Sequence, residues 1–115
     1  MRETNFPVVS YNNAETKKLA IFTDNKGLAG IYRWVNLKNG KMYIGSSVNL
    51  VRRLKSYYNI NVLMNGNMAI YKAILLHGHS EFSLDILEYC EPENVIDREN
   101  YLSRIIISYR KQVHL

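Results

Sequence analysis

The sequence predicts a mixed α/β (α+β) fold in which a small three-stranded antiparallel sheet is flanked by helices. Its 115 residues suffice for one domain. Two runs rich in β-branched and aromatic residues flank Asn39-Gly40, a strong hairpin signal. Later segments change between four-residue helical spacing and strict alternation. We expect an N-terminal extension over 1–24, the domain over 25–111 and a short tail over 112–115.

The predicted hairpin joins strands over Ala29–Leu37 and Lys41–Ser46. With Asn39 and Gly40 at the turn centre, Lys38 pairs with Lys41, and the register fixes which side chains share a face. The face predicted to point to the core carries Ile31, Arg33, Val35, Leu37, Met42 and Ile44. The opposite face is aromatic and polar and is interpreted as the wall of a site: Gly30, Tyr32, Trp34, Asn36, Lys41, Tyr43 and Gly45.

A helix is predicted over Val48–Tyr58, with Ser46-Ser47 as its N-cap and a buried stripe of Leu50, Leu54 and Tyr58. Asn49, Arg53 and Tyr57 form the adjacent stripe. Asn59–Asn67 is interpreted as a loop.

The second half of the chain predicts a helix, a strand and a last helix. Asn67 can cap a helix over Met68–His77 that stops at Gly78. Alternation predicts a third strand over Glu81–Tyr89, added to the hairpin sheet. Pro92 then opens a helix on whose apolar side Glu99 lies, and a carboxylate there is costly to bury without a partner.

Composition excludes several classes of protein. No apolar run approaches the ~20 residues of a membrane span, and no signal peptide is apparent, so we expect no membrane association. Cys90 is the only cysteine, which excludes an intramolecular disulfide and a thiolate zinc cage.

Charge is distributed unevenly along the chain. Residues 25–80 contain eight Lys and Arg and no Asp or Glu, whereas residues 81–100 contain seven acids and one Arg. This basic segment fits either a solvated surface or contact with a polyanion such as nucleic acid. Asn, Ile, Tyr and Lys, which A/T-rich codons encode, make up 41 of the 115 residues and indicate an AT-rich gene.

The order of Gly30-Ile31-Tyr32, Tyr43-Ile44-Gly45, a helix with Arg53 and Tyr57, and a distant Glu99 resembles the GIY-YIG nuclease family. Within that family the chain looks most like homing endonucleases encoded in group I introns of fungal mitochondria. The resemblance implies a metal-dependent DNA endonuclease, mitochondrial or otherwise intracellular. The expected partner is double-stranded DNA, and the domain is expected to be a monomer.

The resemblance implies a catalytic role for Tyr32, Tyr43, Arg53, Tyr57 and Glu99. Tyr32 would activate the attacking water, Tyr43 and Tyr57 would position water or phosphate, and Arg53 would stabilise the phosphate charge. Glu99 would be the ligand of one Mg²⁺ (or Mn²⁺), which needs few protein carboxylates. From the residues alone, the tyrosines could equally pack on the sheet and Arg53 could be a solvated helix charge.

Backbone contacts with DNA are expected from the polar and basic residues around this constellation. Ser46 and Ser47 precede a predicted helix N-terminus that could cradle a phosphate. The full set of predicted DNA contacts is Lys41, Ser46, Ser47, Asn49, Arg52, Lys55 and Lys72.

One departure from the family keeps a second interpretation open. The glutamate helix usually leads into a Pro-x-Tyr-Asn segment, but here Ile107 to Gln112 reads Ile-Ser-Tyr-Arg-Lys-Gln. The chain could thus be a catalytically degenerate nucleic-acid-binding module, or part of a longer form whose C-terminal DNA-binding region supplies specificity.

Overall fold

The computed structural model describes the backbone of residues 6–113 and the side chains of residues 6–106. A four-stranded antiparallel sheet has the strand order β1-β4-β2-β3. The strands are β1 (Val9–Tyr11), β2 (Gly30–Asn36), β3 (Met42–Ser47) and β4 (Phe82–Tyr89). The helices are α1 (Lys18–Asp24), α2 (Leu50–Ser56), α3 (Ile60–Asn65), α4 (Ala69–His77) and α5 (Val95–Val113), with 3₁₀ turns at His79–Glu81 and Pro92–Asn94.

The α+β class and the antiparallel sheet are confirmed, with one strand more than predicted. The predicted third strand is β4, and it pairs with β2 in the centre of the sheet. The additional strand β1 pairs with β4 through Val9 and Ile86, and α1 follows it, so both elements come from residues 1–24.

The hairpin forms, but its register differs from the prediction by two residues. Val35 pairs with Met42, and residues 37–40 form a four-residue loop instead of a two-residue turn. Two hydrogen bonds donated by backbone amides close the loop, from Gly40 N to Asn36 O at 2.7 Å and from Lys41 N to Asn39 Oδ1 at 2.9 Å. Because the shift is an even number, the side chains keep their predicted faces.

The prediction that one face points to the core is confirmed for Ile31, but the interpretation of the opposite face as the wall of a site was wrong, because both faces are buried. Tyr32, Trp34 and Asn36 are all buried, within the larger core that helices α1–α4 complete. The opposite face is covered by α5, where Ile31 packs with Leu87, Leu102 and Ile106 in a smaller core. β2 is a central strand with helices on both sides, so an alternating pattern cannot tell which face is interior. Leu37, predicted in the core, is exposed in the loop.

Helix boundaries show three further differences. Asn49, and not Ser46-Ser47, caps α2, because its Oδ1 accepts a hydrogen bond from Arg52 N at 3.1 Å. The predicted loop over Asn59–Asn67 contains α3, which Asn59 caps. α4 begins after Met68 without a side-chain cap, so Asn67 does not have the predicted capping role. The stop at Gly78 is confirmed, with φ at 83°.

Candidate active site

Two tyrosine hydroxyls from different elements meet beneath the outer strand of the sheet. Tyr32 on β2 and Tyr57 at the end of α2 have their hydroxyl oxygens 2.7 Å apart. Both side chains are 2% exposed, and their rings meet edge to face at 5.9 Å. The sequence predicted that these phenols would project onto a surface, but they lie within the core, hydrogen-bonded to each other.

Gly45 makes room for this arrangement. It lies directly across from Tyr32 in the hairpin, and a Cβ atom built on it would come within 2.6 Å of the Tyr32 ring and hydroxyl. The last residue of Tyr43-Ile44-Gly45 is therefore required by packing. Glycine is required at position 30 for a similar reason, since a Cβ atom there would come within 2.4 Å of the Glu88 carbonyl oxygen.

Arg53 lies over the Tyr57 ring, with its Cζ 4.5 Å from the ring centroid. Its Nη1 donates hydrogen bonds to Ser56 Oγ at 2.8 Å and to Tyr71 Oη at 3.0 Å, and its Nη2 lies 3.4 Å from Met68 Sδ. No carboxylate of the described side chains forms an ion pair with it. The guanidinium thus keeps its full positive charge beside the two phenols.

Glu99 reaches the same region from the other side of the sheet. Its Oε1 accepts a hydrogen bond from Ser46 Oγ at 2.5 Å, which joins α5 to β3. Within residues 6–106, Glu99 has no cationic partner at ion-pair distance. No described side chain therefore neutralises this half-buried carboxylate, which keeps acceptor capacity for a further ligand.

The four groups influence one another electrostatically. Burial raises the pKa of Tyr32, the hydroxyl of Tyr57 and the guanidinium of Arg53 lower it, and the Glu99 carboxylate raises it again. Burial and the neighbouring Tyr32 also raise the pKa of Tyr57. Both phenols are therefore protonated near neutral pH. The pKa of Tyr32 depends on both Arg53 and Glu99.

The fifth predicted catalytic residue, Tyr43, lies on β3 across from Trp34. Its side chain is half-buried and packs against the larger core. β3 is the outer strand, so Tyr43 borders the site at the sheet edge.

The predicted DNA contacts fall into two groups. Exposed side chains are Lys41, Asn49, Arg52, Lys55 and Lys72. Ser46 and Ser47 are half-buried and engaged, since Ser46 binds Glu99 and Ser47 Oγ donates to Asn49 O at 2.9 Å. The predicted phosphate cradle is not present, because protein oxygens already accept from Leu50 N, Arg52 N and Arg53 N.

The sequence reasoning missed Tyr71, the α4 residue whose hydroxyl binds Arg53. Its ring is buried and meets the Tyr57 ring edge-on at 5.7 Å. Tyr71 lies three residues before the buried Ile74 on α4, so helical periodicity could have indicated its burial but not its contact with Arg53.

The described residues could hold a divalent cation only in an open site, where protein side chains supply few of the ligands. Among the described residues no three His, Cys, Asp or Glu side chains cluster, so a cage made of protein ligands is absent there. Glu99 is a carboxylate without a cationic partner among the side chains of residues 6–106, which suits Mg²⁺, an ion that keeps several waters and takes one or two carboxylates. The helices between residues 6 and 113 include none with the length and hydropathy of a membrane span.

Three comparisons with known proteins agree with this architecture. The family model described as "GIY-YIG catalytic domain" matches residues 28–105 of the sequence. A protein of Neurospora crassa described as "Probable intron-encoded endonuclease 1" is 30% identical over 105 residues, which is 90% of this chain. That alignment spans 33% of the Neurospora protein, so the chain corresponds to about a third of its relative.

Solved structures show the same fold. A point mutant of the catalytic domain of intron endonuclease I-TevI superposes with a TM-score of 0.55 at 25% identity, covering 67% of this chain and 81% of that one. A second structure of the I-TevI catalytic domain gives a TM-score of 0.52 at 27% identity, covering 66% and 85% of the two chains. The matched range, residues 28–105, spans both tripeptides, Arg53, Tyr57 and Glu99. This chain belongs to the GIY-YIG catalytic domain family.

Proposed function

We propose that the chain is a DNA endonuclease that hydrolyses phosphodiester bonds with the help of one divalent metal ion. The observation that carries this proposal is the Tyr32–Tyr57 hydroxyl pair with the Arg53 guanidinium over the Tyr57 ring, to which the Glu99 carboxylate is near enough to raise the pKa of Tyr32. Hydrolysis needs an acceptor for the proton of the attacking water and positive charge at the phosphate, and these residues can supply both.

Each residue has a distinct proposed role. Tyr32, after losing its own proton to solvent, accepts the proton of the attacking water as a phenolate, and its hydrogen bond with Tyr57 orients its oxygen. Arg53 binds the scissile phosphate through a guanidinium that remains charged at any working pH. Tyr43 positions water or phosphate at the outer strand. Lys41, Arg52, Lys55 and Lys72 contact the DNA backbone, with Asn49, Ser46 and Ser47 beside them.

Glu99 would hold the metal ion, with Mg²⁺ or Mn²⁺ fitting its oxygen ligand. The bound ion would supply positive charge to the phosphate oxygens and lower the pKa of a coordinated water. The hydrogen bond from Ser46 orients the Glu99 carboxylate, as outer hydrogen bonds commonly do for metal ligands.

Nicking of supercoiled plasmid at low salt tests the proposal. The wild-type chain is expected to nick with Mg²⁺ and to stop with EDTA. Arg53→Lys and Glu99→Gln are each expected to lose roughly a hundred-fold or more in rate, the usual cost of removing one charge-stabilising group. Matched controls are Arg104→Lys and Glu93→Gln, exposed residues outside the site, which should nick like the wild type. Nicking that persists in Glu99→Gln or in EDTA contradicts the proposed metal role.

A second function, a catalytically degenerate nucleic-acid-binding module, has one specific observation in its favour. α5 continues as a helix through residues 107–113, where the family resemblance leads one to expect a Pro-x-Tyr-Asn segment. DNA binding without nicking under any divalent metal would support this module and exclude the endonuclease for this chain.

The surrounding biology is also a proposal. The Neurospora relative is about three times as long as the matched segment. We expect a longer form in which residues 25–111 are the catalytic unit, a C-terminal region supplies DNA specificity, and the gene lies in a mitochondrial intron. Size-exclusion chromatography is expected to give a monomer of 13.4 kDa for the chain itself.

A further inference from the structure

Arg53 is held by two kinds of contact that constrain it differently. The Tyr57 ring attracts the guanidinium from one side, but an attraction between a cation and an aromatic face does not determine which N–H group points where. Hydrogen bonds do determine this. Ser56 accepts one, but it belongs to the same helix as Arg53 and moves with it.

Tyr71 supplies a contact from a different helix. Its Oη accepts a hydrogen bond from Arg53 Nη1 at 3.0 Å and joins α2 to α4. The tyrosine is itself fixed, since its side chain is 7% exposed and its ring meets the Tyr57 ring at 67°. A Cβ atom on Gly66 would come within 2.4 Å of the Tyr71 ring, so the neighbouring loop closes tightly around it.

The chemistry of the acceptor is also significant. A carboxylate in this place would hold the guanidinium but would neutralise its charge. A neutral phenol orients the same N–H group and leaves the positive charge available for a phosphate. A tyrosine at position 71 therefore orients the guanidinium without neutralising its charge.

From these contacts we infer that Tyr71 is a positioning residue for Arg53, fixing the guanidinium in the orientation in which it meets the phosphate. The inference rests on the proposed function for its catalytic consequence, but not for the orientation itself. Tyr71 has no direct role in the reaction, and it acts only through Arg53.

Tyr71→Phe keeps the ring and removes the hydroxyl. The matched control is Tyr11→Phe, a buried tyrosine on β1 at the opposite edge of the sheet, whose hydroxyl donates to Asp24 Oδ2 at 3.0 Å. The first measurement is side-chain NMR of Arg53, which reports rotation of the guanidinium in the protein without DNA or metal. Faster rotation in Tyr71→Phe, with wild-type behaviour in Tyr11→Phe, supports the inference. Unchanged rotation in Tyr71→Phe overturns it.

The second measurement is the nicking rate in a double-mutant cycle. Tyr71→Phe is expected to lose roughly ten-fold or more, because a small misplacement of a catalytic group is costly. In an Arg53→Lys background the same change should have almost no further effect. An equal loss in both backgrounds overturns the inference, since Tyr71 would then act independently of Arg53. If the wild-type chain never nicks but Arg53 rotates faster in Tyr71→Phe, the positioning role is supported. Only the proposed endonuclease function is then contradicted.

Discussion

Tyr32 is a buried phenol in a position where the proposed reaction needs a base. Burial raises its pKa above the usual 10.0. The deprotonated form is therefore scarce at neutral pH and becomes tenfold more abundant with each pH unit. If Tyr32 must lose its proton, the nicking rate should rise about tenfold per unit through the neutral and mildly alkaline range, without a plateau below about pH 10. Single-turnover rates at saturating Mn²⁺ measure this. A plateau near pH 7 would show that another group is the base.

Gly45 tests the packing beneath that phenol. Gly45→Ala introduces a methyl group 2.6 Å from the Tyr32 ring, which must move. We expect the free energy of unfolding to fall by about 1–3 kcal/mol, the usual cost of overpacking. Gly40→Ala is the control: its new Cβ meets nothing within 4 Å, although φ of 76° strains it. Denaturant unfolding gives the stability and plasmid nicking the activity per folded molecule. The nicking activity should fall only in Gly45→Ala. Wild-type stability and activity in Gly45→Ala would show that the Tyr32 ring can move without loss of either.

At the scale of elements, substitutions of Asn49 distinguish its role as the N-cap of α2 from its proposed contact with DNA. Because its side chain caps α2, Asn49→Ala should lower the free energy of unfolding by about 1 kcal/mol, whereas Asn49→Ser should retain most of it. Asn67→Ala is the control, since Asn67 is exposed and α4 has no side-chain cap. Urea unfolding measures all three. Equal stability of Asn49→Ala and wild type would mean that the cap contributes little. DNA binding that is lost in Asn49→Ser despite restored stability would favour a direct contact.

The elements also show how far sequence reasoning reaches. β2, β3, β4 and α4 have strong patterns and were predicted, and the motif indicated Tyr32, Arg53, Tyr57 and Glu99. β1 is three residues long and acquires its structure from pairing with β4, a contact that spans 75 residues between Ser10 and Asp85. α3 is six residues long, too short for a periodic signal, and it depends on its Asn59 cap and on burial of Leu63. Tyr71 was missed because its partner lies on another helix.

At the scale of the whole molecule, the basic residues of the segment 25–80 are the candidates for electrostatic contact with DNA. Among the exposed side chains, Lys41, Arg52, Lys55 and Lys72 are proposed to contact phosphates, together with the half-buried Arg53. No acidic residue occurs between positions 25 and 80 to oppose them. Five neutralised phosphates would release about as many counterions, so binding should be governed by salt more than by base sequence.

The expected result is a log–log plot of DNA affinity against salt concentration with a slope of roughly −4.5, since each phosphate contact contributes about −0.9 on duplex DNA. Fluorescence anisotropy of a labelled duplex with EDTA present measures binding without cleavage. Arg52→Gln and Lys72→Gln should each make the slope shallower by about one unit and weaken binding similarly on unrelated sequences. The control is Lys17→Gln, whose exposed side chain precedes α1 outside the basic segment and should leave the slope unchanged. A slope near zero in the wild type would contradict an electrostatic DNA surface, and a strong preference for one duplex would mean that this domain reads bases as well as phosphates.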